Sequence, residues 1–195
     1  MGKIIVSENV TLDGVFQDPR GEEGTGRGDW FTRIGEVDRT EWGAAMLAEA
    51  RGAGALLLGR RSYEYFAARF PNRRGAWADR LNSMPKYVVS ATLATADAWA
   101  NATLLTGDAV AAAAALRRSV PGEIVVYASG RLVRTLAEHD LVDELRLVVH
   151  PFVAGAGERL FGATGAVVPL RLAGARVLGE GLALLTYTRP SAPRP

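Results

Sequence analysis

The chain has 195 residues, 48% of them hydrophobic and 23% charged, with a formal net charge of +2; this describes one globular domain long enough for a sizeable core. So small a charge excludes a broad nucleic-acid footprint, and no basic helical face with interleaved aromatics argues otherwise. Zero cysteines exclude disulfides, thiolate nucleophiles and cysteine-bound metal.

Lys3 to Ser7 is a β-branched run and reads as the first, central strand. Asn9 to Gly14 closes on Asp-Gly, a turn signal. Residues 17–29 are polar and glycine-rich, which predicts a long loop, functional or disordered. It ends on Asp29-Trp30-Phe31, an aromatic pair that anchors the loop or lines a pocket. Residues 37–51 have helical spacing, with Val37, Trp42, Ala45, Met46 and Ala50 on one face. Gly52 and Gly54 end that helix. Ala55 to Leu58 has the length and bracketing of a buried strand. Gly59 breaks it, and Ser62 is the expected N-cap of a helix starting at Tyr63, within a helical stretch 62–69. A basic connection marked by Pro71 and Gly75 leads to a helix at 76–83, a strand at Lys86–Ser90 and a short strand at Thr103–Leu105.

Asp108 caps a helix running to about Ser119, which Pro121-Gly122 stops. Glu123 to Tyr127 is another buried strand, ending in Ala128-Ser129-Gly130. A helix over Arg131–Glu138 precedes a strand at Glu144–His150. Segments 167–178 and 182–189 alternate apolar and polar residues around Gly179-Glu180-Gly181, the pattern of a terminal antiparallel hairpin. The predicted architecture is a single α/β domain over residues 1–189, with a disordered tail at 190–195. Its sheet is mixed but mostly parallel, flanked by helices on both faces, with the antiparallel hairpin at its C-terminal end.

Several chemistries fail on spelling. Gly24-Thr-Gly26-Arg-Gly28 lacks the third glycine at the dinucleotide spacing and follows no strand. Neither lysine, Lys3 or Lys86, sits in a phosphate-loop context. His139 and His150 without cysteine make no zinc site, so no metal is expected. Either histidine is more ordinary as a structural residue than as a base. Ser129 lacks the flanking glycines of a nucleophile elbow.

Two strand-to-helix turns remain, Gly59-Arg60-Arg61-Ser62 and Ala128-Ser129-Gly130-Arg131-Leu132. The first N–H groups of a helix lack partners, and the dipole adds partial positive charge there. Guanidinium donors suit phosphate geometry. In open α/β sheets, ligands bind beyond the carboxyl ends of strands, where such turns gather. Two of them on one sheet edge suit a dinucleotide, and Arg60, Arg61 and Arg131 favour one with an extra 2′-phosphate. The plainer reading of the first turn is a strand-helix joint with two solvated arginines. A wider cluster, Arg60, Arg61, Arg69, Arg73, Arg74 and Arg80, lies beside it.

These residues resemble a known family. Leu56-Leu-Leu-Gly59-Arg60-Arg61-Ser62-Tyr63-Glu64 is similar to the strand, turn and helix start of dihydrofolate reductases. Tyr87-Val-Val-Ser90-Ala-Thr92 resembles their next strand and its end, and Val125-Val-Tyr-Ala-Ser-Gly130-Arg-Leu their glycine-rich turn. Ser7 with Thr11-Leu12-Asp13-Gly14 looks more like the reductase domain of riboflavin-biosynthesis deaminase-reductases. So does Pro151-Phe-Val-Ala-Gly155-Ala-Gly157-Glu-Arg-Leu160-Phe161. Together these cover residue 3 to about 189.

The resemblance implies NADPH bound by Gly59, Arg60, Arg61 and Ser62, by Ser90, Ala91 and Thr92, and by Ser129, Gly130, Arg131 and Leu132. It places Asp13 on the nicotinamide and substrate side, with Trp30 as a second substrate residue, and names no catalytic proton donor. Dihydrofolate reductases carry a pocket carboxylate where this chain has Gly43, and Glu41 and Glu49 fall on different helical faces. That argues against dihydrofolate as the main substrate. With no deaminase segment ahead of the reductase-like part, a riboflavin role requires a separate partner enzyme. The expected function is hydride transfer from NADPH to a pterin, aminopyrimidine or related heterocycle, as in 5-amino-6-(5-phosphoribosylamino)uracil reductases. The alternatives are a nucleotide- or pterin-binding protein without turnover, a true dihydrofolate reductase, or a structural or interaction domain. A cytoplasmic homodimer is expected, with a small-molecule heterocyclic substrate and neither membrane nor nucleic acid as partner. The short apolar run at the N-terminus is no secretory signal, and no stretch approaches the ~20 apolar residues of a membrane span.

Overall fold

The computed structural model describes residues 1–26, 28–162 and 167–190. Residues 191–195, most of the expected disordered tail, lie outside them. The eight strands are β1 (Lys3–Thr11), β2 (Ala53–Gly59), β3 (Lys86–Val89), β4 (Ala102–Leu105), β5 (Glu123–Tyr127), β6 (Glu144–His150), β7 (Arg171–Leu178) and β8 (Leu182–Thr188). Their order in the sheet is β4-β3-β2-β5-β1-β6-β8-β7, so β1 is central as expected. Among the described residues five α-helices flank the sheet: α1 (Glu36–Gly52), α2 (Arg60–Ala67), α3 (Ala76–Ser83), α4 (Ala109–Ser119) and α5 (Gly130–Glu138). The chain forms two compact units that share β1. Unit 1 is Met1–Val6 with Gly43–Val142, and unit 2 is Ser7–Trp42 with Asp143–Pro195.

In unit 1, β2 pairs parallel with both β3 and β5, and β3 pairs parallel with β4. Strands inside a parallel sheet lose both faces to the core and therefore read as unbroken apolar runs. Ala55, Leu56, Leu57 and Leu58 do so, at no more than 1% exposure. Each such leucine contributes roughly 1.5–3 kcal/mol by leaving water. Asp108 caps α4 as expected, its Oδ1 accepting the Ala111 N–H at 2.7 Å.

The start of α2 differs from expectation. Gly59 still pairs with Val89 in the sheet, and the helix begins at the next residue, Arg60, with Gly59 as N-cap at φ −81° and ψ 164°. With no loop between strand and helix, Ser62 falls inside the first turn and is buried rather than capping.

In unit 2, β8 lies antiparallel between β6 and β7, which forms the expected hairpin. Trp30 and Phe31 form a short 3-10 turn (Trp30–Arg33) and are buried, so this pair anchors the long loop. Asp18 organises the loop itself. Its carboxylate accepts N–H bonds from Glu23 at 2.9 Å and Thr25 at 3.3 Å, and the Thr25 hydroxyl at 2.7 Å. Burial pushes this carboxyl upward, but those bonds outweigh it and hold it below its ordinary value.

The apolar face of α1 is corrected at its first turn, where Val37 is exposed and Asp38 buried. Asp38 Oδ1 accepts the N–H groups of Glu180 at 2.6 Å and Gly181 at 3.0 Å and so ties the β7–β8 turn to the helix. Gly179 in that turn has φ +67°, and a Cβ on it would meet the Asp38 backbone at 2.7 Å. Only glycine fits there on both counts.

Candidate functional site

The turns singled out from sequence follow β2, β3 and β5, three neighbours in unit 1 with parallel pairing, so they gather beyond one sheet edge. This is where open α/β sheets bind ligands. Gly59 to Ser62 carries the chain from β2 into α2, and Ser129 to Leu132 from β5 into α5. Among the described residues, no side chain caps the N-terminus of either helix. Their first N–H groups therefore remain as donors for an anion. Arg60, Arg61 and Arg131 are exposed beside them. Arg60 Nη1 lies 3.4 Å from Glu64 Oε1 on the surface, and an exposed pair of this kind is worth little against a phosphate.

The β5 turn carries the most distorted backbone of the three. Ala128 and Ser129 both have positive φ, 50° and 66°, although neither is glycine. Such conformations cost energy and cluster at functional sites. The step from left-handed Ser129 into helical Gly130 also turns successive N–H groups toward one concavity, an anion-binding geometry. Gly130 itself is buried. Ser129 Oγ donates to Tyr127 O at 3.0 Å and accepts the Gly59 N–H at 3.0 Å. The two helix-opening turns are thus joined by a direct bond.

Ser90 acts locally. Its Oγ accepts the N–H groups of Thr92 at 3.1 Å and Leu93 at 3.0 Å and shapes the bend in which Ala91 and Thr92 are exposed. The wider arginine cluster divides. Arg80 belongs to the scaffold, donating through Nε to Ala50 O at 3.0 Å and through Nη2 to Ala53 O at 2.6 Å. Arg69 and Arg73 lie over the rings of Tyr65 and Phe70.

The two residues assigned to the substrate side both belong to unit 2. Asp13 Oδ1 accepts the Thr11 hydroxyl at 2.7 Å and the Ala154 N–H at 3.0 Å, and Oδ2 accepts the Gly155 N–H at 3.0 Å. The Thr11 hydroxyl first, then the Ala154 N–H, hold its carboxyl down to about 2. Asp13 therefore stays ionised and clamps its own turn to the segment after β6. Trp30 is 3% exposed and meets His150 edge-on, with ring centroids 4.9 Å apart.

Sequence reasoning passed over a polar network on β1. Asn9 Oδ1 accepts Trp42 Nε1–H at 2.8 Å and lies 3.1 Å from His150 Nε2. His150 is fully buried, which lowers its pKa to about 4 and keeps the ring neutral. Its Nδ1 has no partner among the described residues. Glu8, the neighbour of Asn9, is buried as well. Desolvation raises its carboxyl to about 8, with the Asn9 N–H opposing, and its Oε2 has no partner among the described residues. The available signal was the polar run Ser7-Glu8-Asn9 inside an apolar strand, which the sequence reading ended at Ser7.

This mixed α/β sheet with turns gathered at one edge is the architecture of dihydrofolate-reductase-like domains. The chain belongs to the RibD C-terminal domain family, which it matches over residues 2–184. It is 26% identical to the YyaP protein of Bacillus subtilis (strain 168) over 191 residues, 95% of this chain and 94% of that one. Its fold is similar to a Shewanella sp. PV-4 protein designated for riboflavin biosynthesis, with TM-score 0.76, 22% identity, and coverage of 97% and 99% of the two chains. A Thermotoga maritima diaminohydroxyphosphoribosylaminopyrimidine deaminase/5-amino-6-(5-phosphoribosylamino)uracil reductase matches with TM-score 0.65 and 12% identity. That match covers 97% of this chain but 57% of the longer protein. A pyrimidine reductase-like protein from Corynebacterium diphtheriae gives TM-score 0.60 at 15% identity, over 97% and 92% of the chains.

Proposed function

We propose that the protein is an NADPH-dependent reductase acting on an aminopyrimidine or related heterocycle of the kind that the Thermotoga relative's name describes. The observation that carries this reading is the meeting of three turns beyond adjacent parallel strands, two of them opening uncapped helices beside Arg60, Arg61 and Arg131. These groups fit a dinucleotide with separated phosphates: helix N–H donors suit the pyrophosphate and guanidinium groups the 2′-phosphate. When bound, NADPH supplies the hydride, which accounts for a chain without a nucleophile constellation. The chain itself holds the phosphates at the two helix starts, and the Ser90–Thr92 bend offers hydroxyl and backbone groups to the adenosine end. In unit 2, Asp13 serves the substrate by fixing its turn against Ala154 and Gly155. Dihydrofolate is a poor candidate because Gly43 stands where that chemistry needs a carboxylate. We also propose that the protein pairs with a second copy through the hairpin of unit 2.

The test is a titration of NADPH and NADH against the wild type and a variant with Arg60→Ala and Arg61→Ala, followed by turnover with the aminopyrimidine and with dihydrofolate. Each lost charge-assisted bond is worth roughly 1.5–3 kcal/mol, so NADPH affinity in the variant falls at least about tenfold while NADH affinity changes little. Equal losses for both cofactors contradict a 2′-phosphate role. Binding without turnover favours a nucleotide-binding protein, and brisk dihydrofolate reduction contradicts the substrate class.

A further inference from the structure

Ser129 holds a conformation that its side chain does not favour, and it uses that conformation to reach a neighbouring turn. Its Oγ–H donates to Tyr127 O and a lone pair of the same oxygen takes the Gly59 N–H, each at 3.0 Å. The hydroxyl is thereby committed to the protein, and the residue is 9% exposed. Gly59 is the N-cap of α2, and Ser129 is the N-cap of α5. One hydroxyl therefore links two helix N-termini whose strands are adjacent and parallel.

Alanine in place of Ser129 would leave the Gly59 N–H and Tyr127 O without this partner. Glycine would do the same but would relieve the left-handed strain. Residue 59 has room for a methyl group, since a Cβ there would lie 3.8 Å from both Leu132 Cβ and Ser129 Oγ. The turns therefore meet in ordinary van der Waals contact, and the serine bond is the specific polar link between them.

We propose that Ser129 is a positioning residue that spaces the two anion-binding turns for one ligand carrying two separated phosphate groups, without touching the ligand through its hydroxyl. This rests on the dinucleotide reading given above. A ligand that meets only one turn gains nothing from the spacing, whereas a ligand spanning both depends on it, because binding at the second turn is intramolecular only when the geometry is right.

The experiment titrates NADPH and adenosine 2′-monophosphate, whose single phosphate can meet only one turn, into the wild type, Ser129→Ala and Ser129→Gly, with the melting transition of each recorded. In both variants NADPH affinity falls about tenfold, the scale of one lost positioning bond, while affinity for the adenosine monophosphate stays within about twofold. Because glycine relieves the strain, Ser129→Gly melts above Ser129→Ala, yet the two lose NADPH affinity alike. If Ser129→Ala does not fold, Ser129→Gly carries the comparison. NADPH affinity that is unchanged, that follows the melting temperature, or that falls together with the fragment's overturns the positioning role while leaving the dinucleotide reading in place. A wild type that binds no NADPH overturns both.

Discussion

Glu8 and His150 place two titrating groups inside unit 2, and their effects on stability run in opposite directions. Glu8 titrates at about 8 when folded against an ordinary 4.5. The folded state therefore keeps its proton longer, and the stability this confers is complete below about pH 4.5 and gone as pH rises through about 8. His150 titrates at about 4 against an ordinary 6.5. Its contribution is present above about pH 6.5 and lost as pH falls through about 4. Glu8→Gln keeps the size of the side chain and removes only the first effect. Urea unfolding between pH 5 and 9 should show the wild type losing stability toward the alkaline end and the variant not, with the variant ahead by a few kcal/mol at about pH 8. Parallel profiles would show that the Glu8 carboxyl is not protonated in the folded protein. Neither group was legible in the sequence. A glutamate in a strand ordinarily faces water, and its burial depends on neighbours that local pattern does not contain.

At the scale of elements, local pattern was most informative where it met a chemical stop. The strands at Glu123–Tyr127 and Glu144–His150 and the helix at Ala76–Ser83 fall where they were expected, since glycine, proline or polar residues bracket each apolar segment. It was least informative where one element passes directly into another, as at Gly59, or where a turn distant in sequence claims a side chain, as with Asp38. Lys86 is a further case of such distant demand. It opens β3 fully buried, and its Nζ donates to the carbonyls of Asn82 at 3.0 Å, Met84 at 2.8 Å and Ala100 at 2.9 Å, 4.6 Å from the centroid of the Trp99 ring. Burial, with the nearby Arg80 charge, lowers its pKa to about 8. Three carbonyls from two segments are thus satisfied by one ammonium. Lys86→Met keeps the apolar stem but leaves the Met84 and Ala100 carbonyls without that donor, while Asn82 O keeps the Asn101 Nδ2–H at 3.1 Å, and unsatisfied buried acceptors cost roughly 1–3 kcal/mol each. A loss of about 3 kcal/mol in chemical unfolding is expected; a loss below about 0.5 kcal/mol would mean that water replaces the ammonium.

For the whole molecule, one face of the unit 2 sheet bears on assembly. Cross-strand register aligns Leu145 with Tyr187 and Leu172, Leu147 with Leu185 and Ala175, and Val149 with Ala183 and Val177. These rows contain no charge, and Leu172 and Val177 are 51% and 67% exposed. An uncharged face meets its own copy across a two-fold axis without like-charge repulsion, and a patch of this kind marks an interaction surface. Light scattering should therefore give the mass of a dimer for the wild type and of a monomer for Leu172→Glu with Val177→Lys. A monomeric wild type would remove the pairing proposal. The sequence carried the alternation that forms this hairpin, but not the exposure of Leu172 and Val177, because that depends on what packs against the sheet.

In the proposed function the turns after β2, β3 and β5 hold NADPH. Hydrogen exchange of the backbone amides with and without saturating NADPH tests it most directly, because the donors proposed to bind phosphate are themselves backbone N–H groups. Slowed exchange is expected at residues 60–62, at Ala91 and at 130–132, with little change along the β7–β8 hairpin. Unchanged exchange at all three turns, or protection confined to other segments, would contradict it.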